Sequence, residues 1–239
     1  ELIGSDSVPA LAEIIRVAVE ALRASGVENI SVDLTTPELV RELATSRWPV
    51  ADVEALTAAL DGKDWGALET PELRPWQALL EAAGPAQPAL AKLRTIAPAC
   101  ADRLAALVAE LPDIAVTIDP TERHGFEYQS WVGFSLFGTA NGAPLRQEIG
   151  RGGAYRVQLP AGGTQAAAGV TLYIDTLVDA GLGQSLRQRI FLPLGTPPAV
   201  AASLRALGWA TVAALAPADT PASCSHIWTN GAAVPMQHR

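Results

Sequence analysis

Apolar residues in the first part of the chain fall at helical spacing. Leu11, Ile14, Ile15, Ala18, Val19 and Leu22 share one stripe, which predicts a helix over residues 9–25 closed by Gly26. The period then changes to two. Ile30, Val32 and Leu34 alternate with Ser31 and Asp33, the pattern of a strand with one apolar face, over 29–34. Thr36 stands where an N-cap is expected, ahead of Pro37 and a second helix over 37–44. Residues 47–111 are alanine-rich and helical in pattern. Helices are expected over 50–60, 76–83, 88–96 and 98–110, with a turn at 61–65. From Ile114 strand patterns dominate, over 114–118, 126–137, 148–149, 155–159 and 169–173. Asn141-Gly142 is a hairpin signal, and 160–165 reads as a glycine-containing loop. A strand, helix, strand, strand series over 189–194, 197–207, 210–215 and 225–228 ends the chain. The order predicts an α+β fold, a largely antiparallel sheet flanked by helices, with a small α/β lobe after it.

The 239 residues carry a formal charge of −8, with 17 Lys+Arg and no dense basic cluster. An acidic surface is poorly matched to a phosphate backbone, which argues against tRNA as a partner. The mean hydropathy is +0.20. No apolar run reaches the length of a bilayer span and no signal peptide is visible, so the expected location is cytoplasmic. Cys100 and Cys224 lie far apart and read as reduced thiols. His124, His226 and His238 have no second ligand at metal spacing, so no metal site is expected. The glycines at 150, 152, 153, 162 and 163 lack the lysine and helix start of a phosphate loop. Ser225-His226 makes no convincing catalytic pair, because strand neighbours point apart. Asp113, Asp119 and Glu122 are candidates for a carboxylate group.

Three segments carry a more specific signal. Arg123-His124-Gly125-Phe126-Glu127-Tyr128-Gln129-Ser130-Trp131-Val132-Gly133-Phe134 resembles the histidine-binding signature of histidyl-tRNA synthetases, Arg-Gly-Leu-Asp-Tyr-Tyr-Thr-Gly-x-x-Phe. Glycine, apolar residue, acid, tyrosine and final phenylalanine are in register. His124 stands at the arginine that stabilises charge on the activated carboxylate in that family. Gly150-Arg151-Gly152-Gly153-Ala154-Tyr155-Arg156 is similar to the second pocket motif, Gly-Gly-Arg-Tyr-Asp, with Ala154 at the arginine and Arg156 at the aspartate. Residues 168–177 resemble class II motif 3, with Asp175 at the glutamate and Thr176 at the arginine that lies against ATP. A threonine hydroxyl lacks the fork that matches phosphate geometry. Glu1-Leu2-Ile3-Gly4 looks like the end of motif 2. The chain starts at Glu1 rather than methionine, so the resemblance implies a front segment with motif 1 and most of motif 2 outside it.

The resemblance implies a class II aminoacyl-tRNA synthetase-like core over residues 1–187, with a helical insertion at about 47–111 and a small lobe over 188–239. Within that family the lost arginines match the ATP phosphoribosyltransferase regulatory subunits, paralogues without aminoacylation. Such a chain would have no catalytic residue and no cofactor. It would act with a short-form ATP phosphoribosyltransferase catalytic subunit, with L-histidine as feedback effector, as a homodimer within a hetero-oligomer. Glu1, Tyr128, Gln129 and Tyr155 would line the histidine pocket. Two alternatives stay open. One is a divergent synthetase-like enzyme activating an amino acid with ATP, using Arg123, Arg151 or Arg156 in place of the missing cations. The other is a scaffold with a dead pocket.

Overall fold

The computed structural model describes residues 1–123, 129–159, 162–183, 187–219 and 223–236. They divide into two compact units, Glu1–Gly183 and Gln184–Arg239.

In the first unit, β1 (Leu2–Ile3) leads to α1 (Val8–Ala24). Helix α1 starts where Ser7 accepts the Ala10 N–H and Pro9 occupies the first turn. It ends at Gly26, whose φ of +97° suits a residue without Cβ. The predicted stripe is the buried one, Leu11, Ile15 and Leu22 having no exposure. Then come β2 (Glu28–Thr35), α2 (Leu39–Ser46), α3 (Val53–Asp61), α4 (Gln77–Glu81), β3 (Gly84–Pro85), α5 (Ala86–Ile96) and α6 (Pro98–Ala109). The strand series is β4 (Ala115–Asp119), β5 (Gln129–Ala140), β6 (Ala143–Pro144), β7 (Gly150–Gln158) and β8 (Thr164–Leu172), followed by α7 (Ile174–Asp179). Asn141 and Gly142 have φ of 53° and 77°, the hairpin geometry expected of that pair, and join β5 to β6.

The sheet order is β1-β8-β7-β5-β2-β4-β3, with β6 on β5. All pairs are antiparallel except β2–β4, so the sheet is mixed. The parallel pair follows from the helical crossover α2–α6 between β2 and β4. Val32, Leu34, Ile118, Phe134 and Leu136, none exposed, form one face and share a core with α1, α5 and α6. Alternation sends Asp33, Thr35, Gly133, Ser135 and Gly153 to the other face.

Two expectations need correction. Thr36 does not cap α2; its hydroxyl donates to Pro120 O at 3.0 Å, and α2 begins three residues later without a side-chain cap. Residues 148–149 are not a strand. The Glu148 carboxylate turns to accept from Ser135 and Arg151, and strand pairing starts at Gly150.

The second unit contains β9 (Arg189–Leu192), α8 (Pro198–Ala206), β10 (Ala210–Ala213), β11 (His226–Thr229) and β12 (Ala232–Pro235), in the order β10-β9-β11-β12. Strand β12, unread in the sequence, pairs with β11 across Asn230-Gly231, another left-handed pair. Ile190, Leu192 and Leu204 form its core. No helix among the described residues is long and apolar enough to cross a membrane.

Candidate functional site

The polar face of the large sheet carries a row without side chains at its centre. Thr35 pairs with Gly133, Gly133 with Gly153, and Gly153 with Gly169. At one end Thr35 pairs with Asp119. At the other, Leu2 pairs with Ala168, which brings Glu1 beside Gly169. Paired strands place directly opposed side chains on one face. Three adjacent glycines therefore form a floor without side chains of its own, buried beneath the polar groups that lie over it.

The space above each glycine is defined by what a side chain there would meet. At Gly169 the first carbon would lie 2.9 Å from Tyr155 Oη and 3.2 Å from Glu1 Cγ. At Gly153 it would lie 2.9 Å from Gln129 Nε2. At Gly133 it would meet Gln129 Oε1 and, at 2.7 Å, Thr35 Oγ1. Gln129, 8% exposed, is held by donating from Nε2 to Gly152 O at 2.8 Å. It also sits opposite Tyr155 in the β5–β7 register. Glu1, Gln129 and Tyr155, expected from sequence to share a pocket, are thus gathered over one glycine floor. Tyr128 lies outside the described residues, as do His124, Gly125, Phe126 and Glu127.

One step along the strands, the row Thr117, Asp33, Ser135, Arg151, Thr171 is charged. Arg151 binds Glu148 through NH2 at 2.6 Å and 2.7 Å to its two oxygens, and Ser135 donates to the same carboxylate at 2.9 Å. Asp33 accepts from Thr117 at 2.7 Å. Burial pushes the Asp33 pKa up, the Thr117 hydroxyl counters this, and the charges of Glu122 and Asp119 and a hydrogen bond with Glu122 raise it further. For Asp119 burial also pushes upward. Hydrogen bonds from Lys63 and from the Thr121 N–H and hydroxyl outweigh it and hold Asp119 below the usual carboxylate value. The carboxylate group on this face is therefore Asp33, Asp119 and Glu122. Asp113, expected in its place, lies in the turn before β4, at the opposite end of that strand. Among the described residues, no group of three or more His, Cys, Asp or Glu side chains could hold a metal ion.

The three arginines considered as replacement cations are placed as follows. Arg151 is tied to Glu148. Arg156 follows Tyr155 and so points to the opposite face; it donates to Thr164 Oγ1 at 3.1 Å. Arg123 NH1 lies 3.6 Å from Glu54. Ala154, at a motif arginine position, is fully buried on the helix-covered face. Thr176, at the motif 3 arginine position, lines a separate cleft of about 510 Å³ between α7 and the β5–β6 hairpin.

Other chemistry is not built here. Burial pushes the Cys100 thiol up to about 11, with Glu42 adding to the rise against Arg103, so it is a poor nucleophile. Ser225 Oγ does lie 2.9 Å from His226 Nδ1, contrary to the sequence reading, because Ser225 precedes the strand rather than belonging to it. The other side of that imidazole meets the edge of Trp209, and no carboxylate orients it among the described residues. Thr35, Asp33 and Lys63 are the site residues that sequence reasoning missed. The alternation over 29–34 put Asp33 on the polar face with Ser31, but it stopped short of Thr35 and nothing marked which strand would lie beside them.

A sequence profile of the histidyl-tRNA synthetase family matches residues 1–177. An ATP phosphoribosyltransferase regulatory subunit from Paramagnetospirillum magneticum is 42% identical over 92% of this chain and 60% of the relative. This chain thus spans about three fifths of that relative's length. A solved ATP phosphoribosyltransferase regulatory subunit/histidyl-tRNA synthetase from Bacillus halodurans superposes with a TM-score of 0.67 at 22% identity, over 88% of this chain and 60% of that one. The ATP phosphoribosyl transferase (HisG:HisZ) complex from Thermotoga maritima contains a chain matching with a TM-score of 0.56 at 16% identity, over 71% of this chain and 63% of that one. These two likenesses concern the fold, which is that of a class II aminoacyl-tRNA synthetase core. With a family profile matching residues 1–177, most of its length, the chain belongs to the histidyl-tRNA synthetase family.

Proposed function

We propose that this chain is part of a non-catalytic regulatory subunit of ATP phosphoribosyltransferase, which binds L-histidine over the glycine floor and controls a separate short-form catalytic subunit. The observation that carries the reading is the combination on one face. Glu1, Gln129 and Tyr155 converge on Gly153 and Gly169, while Arg123, Arg151 and Arg156 are ion-paired or turned away. A pocket with hydrogen-bonding groups and no free arginine among these three suits binding better than stabilising an acyl phosphate. The names of the curated relative and of the complex support the partner. The net charge of −8 supports a role without tRNA. The protein acts in the cytoplasm, as a homodimer inside a hetero-oligomer. Feedback follows from linkage: histidine alters activity only by binding one assembly state more tightly than another.

The test is reconstitution. The full-length protein is mixed with a short-form catalytic subunit, and phosphoribosyl transfer from phosphoribosyl pyrophosphate to ATP is followed with increasing histidine. Dependence of turnover on this protein, and inhibition that needs it, is the expected result. Histidine- and ATP-dependent pyrophosphate exchange by this protein alone would instead support the synthetase-like enzyme.

A further inference from the structure

Five consecutive residues lead into the pocket motif, and side chains from other elements grip them. Asp119 receives Lys63 Nζ at 2.7 Å. Pro120 O accepts from Thr36 Oγ1 at 3.0 Å. Thr121, 2% exposed, accepts from Lys63 Nζ at 2.8 Å. The Glu122 N–H donates to Asp119 Oδ1 at 3.2 Å. The Arg123 N–H donates to Asp61 Oδ1 at 2.7 Å. Two of these anchors, Asp61 and Lys63, come from a single turn at the end of α3.

Lys63 is an unusual residue for its backbone. Its φ is +54°, in the left-handed region that glycine or asparagine adopts at least cost. The other non-glycine residues with positive φ among those described are all asparagines: Asn29, Asn141 and Asn230. A lysine there is disfavoured locally, so its side chain has to contribute something the backbone does not need. Its ammonium reaches two groups of the segment, the Asp119 carboxylate and the Thr121 hydroxyl.

We propose that Lys63 is a positioning residue for the ligand pocket: the turn after α3 fixes Asp119, which pairs with Thr35 and through it with Gly133 at one end of the glycine floor. This rests on the histidine-binding reading above. It gives the helical region before β4 a function at the site, although none of its residues lines the floor.

The experiment uses the full-length protein with three substitutions. Lys63→Gly relieves the left-handed backbone and removes the ammonium. Lys63→Arg keeps a cation. Arg16→Ala breaks the exposed 2.6 Å pair with Glu110 on another part of the fold and serves as the control. L-Histidine affinity, thermal midpoint and hydrogen exchange of a peptide spanning residues 119–133 are measured for each. The expected result for Lys63→Gly is affinity about tenfold weaker, the loss of roughly one charge-assisted hydrogen bond's worth of order, with a midpoint lowered because relief of the backbone offsets only part of the lost ion pair with Asp119. Exchange in 119–133 rises, Lys63→Arg recovers most of the affinity, and Arg16→Ala changes neither affinity nor exchange. Unaltered affinity and exchange in Lys63→Gly would overturn the proposal, as would equal changes in Arg16→Ala. If the unsubstituted protein binds no histidine, the sensor reading fails and exchange alone decides. Faster exchange of 119–133 in Lys63→Gly but not in Arg16→Ala then upholds the clamp, and no difference overturns it.

Discussion

Adding one methyl group at either of two glycines separates the site from the scaffold. At Gly169 the new carbon would lie 2.9 Å from Tyr155 Oη, 3.2 Å from Glu1 Cγ and 3.3 Å from Tyr155 Cε1. All three are side-chain atoms, and a shift of a few tenths of an ångström at the tip of Tyr155 relieves the contact. Alanine also restricts the unfolded chain, which offsets about 0.4–1 kcal/mol of crowding. Gly169→Ala should therefore change stability by no more than about 1 kcal/mol, or about 2–4 °C in midpoint. The same methyl fills the space between Glu1 and Tyr155. Overpacking against a ligand costs about 1–3 kcal/mol, so histidine binding should weaken roughly 10- to 100-fold. At Gly152, on the other face, the carbon would strike the Gly169 carbonyl oxygen and the Phe134 ring. A backbone oxygen in a paired strand has nowhere to go. Gly152→Ala should cost about 3 kcal/mol or more. Calorimetric titration and thermal unfolding of both variants check this. Gly169→Ala protein that binds histidine as tightly as the unsubstituted protein would refute the placement of the pocket.

Four further outcomes follow from the polar face and the buried thiol. Thr35 is fully buried and its Oγ1 has no hydrogen-bond partner among the described residues. Thr35→Val should thus leave stability unchanged or raise it by about 1 kcal/mol, as chemical denaturation will show. Asp33 has a raised pKa, chiefly from burial, so its ionised form is penalised in the fold. That penalty is complete above its raised folded value and vanishes below the ordinary aspartate value of about 3.9. Asp33→Asn should therefore stabilise the protein at pH 7, with the gain disappearing as the pH falls through that window. Asp119, held below the usual value despite burial, has the opposite sign. Its contribution is present above about pH 3.9 and is lost as the pH falls through its lower folded value, so Asp119→Asn should be destabilising at pH 7 in the same denaturation series. Cys100, with its thiol raised to about 11, should react with iodoacetamide at pH 8 far more slowly than a free thiol, as mass spectrometry of the native protein will show.

Much of the fold could be read from periodicity, because helix α1 and strand β2 each carry an unbroken apolar pattern that burial rewards. One error came where a side chain served a distant partner. Thr36 has the identity of a cap, yet Pro120 lies 84 residues away, and only the parallel β2–β4 pairing brings its carbonyl within reach. At 148–149 the Ile149 backbone does bond to both neighbours, donating to Leu136 O and accepting from Tyr173 N, but regular strand pairing begins only at Gly150. Glu1, Gln129 and Tyr155 were named through motif resemblance, and their side chains lie beside Gly153 and Gly169. The glycine row beneath them was not legible, since Gly133, Gly153 and Gly169 belong to three segments whose register is set by the paired strands. Lys63 gave no signal at all, because its left-handed backbone and its reach to Asp119 exist only in the folded turn.

The central claim is a pocket that holds histidine without performing chemistry on it. Isothermal titration of L-histidine into the full-length protein, followed by ATP into the histidine-loaded protein, tests it most directly. The account predicts saturable histidine binding, weakened in Gly169→Ala, and no heat or pyrophosphate exchange with ATP. Absence of histidine binding, or exchange that requires both ligands, would contradict it.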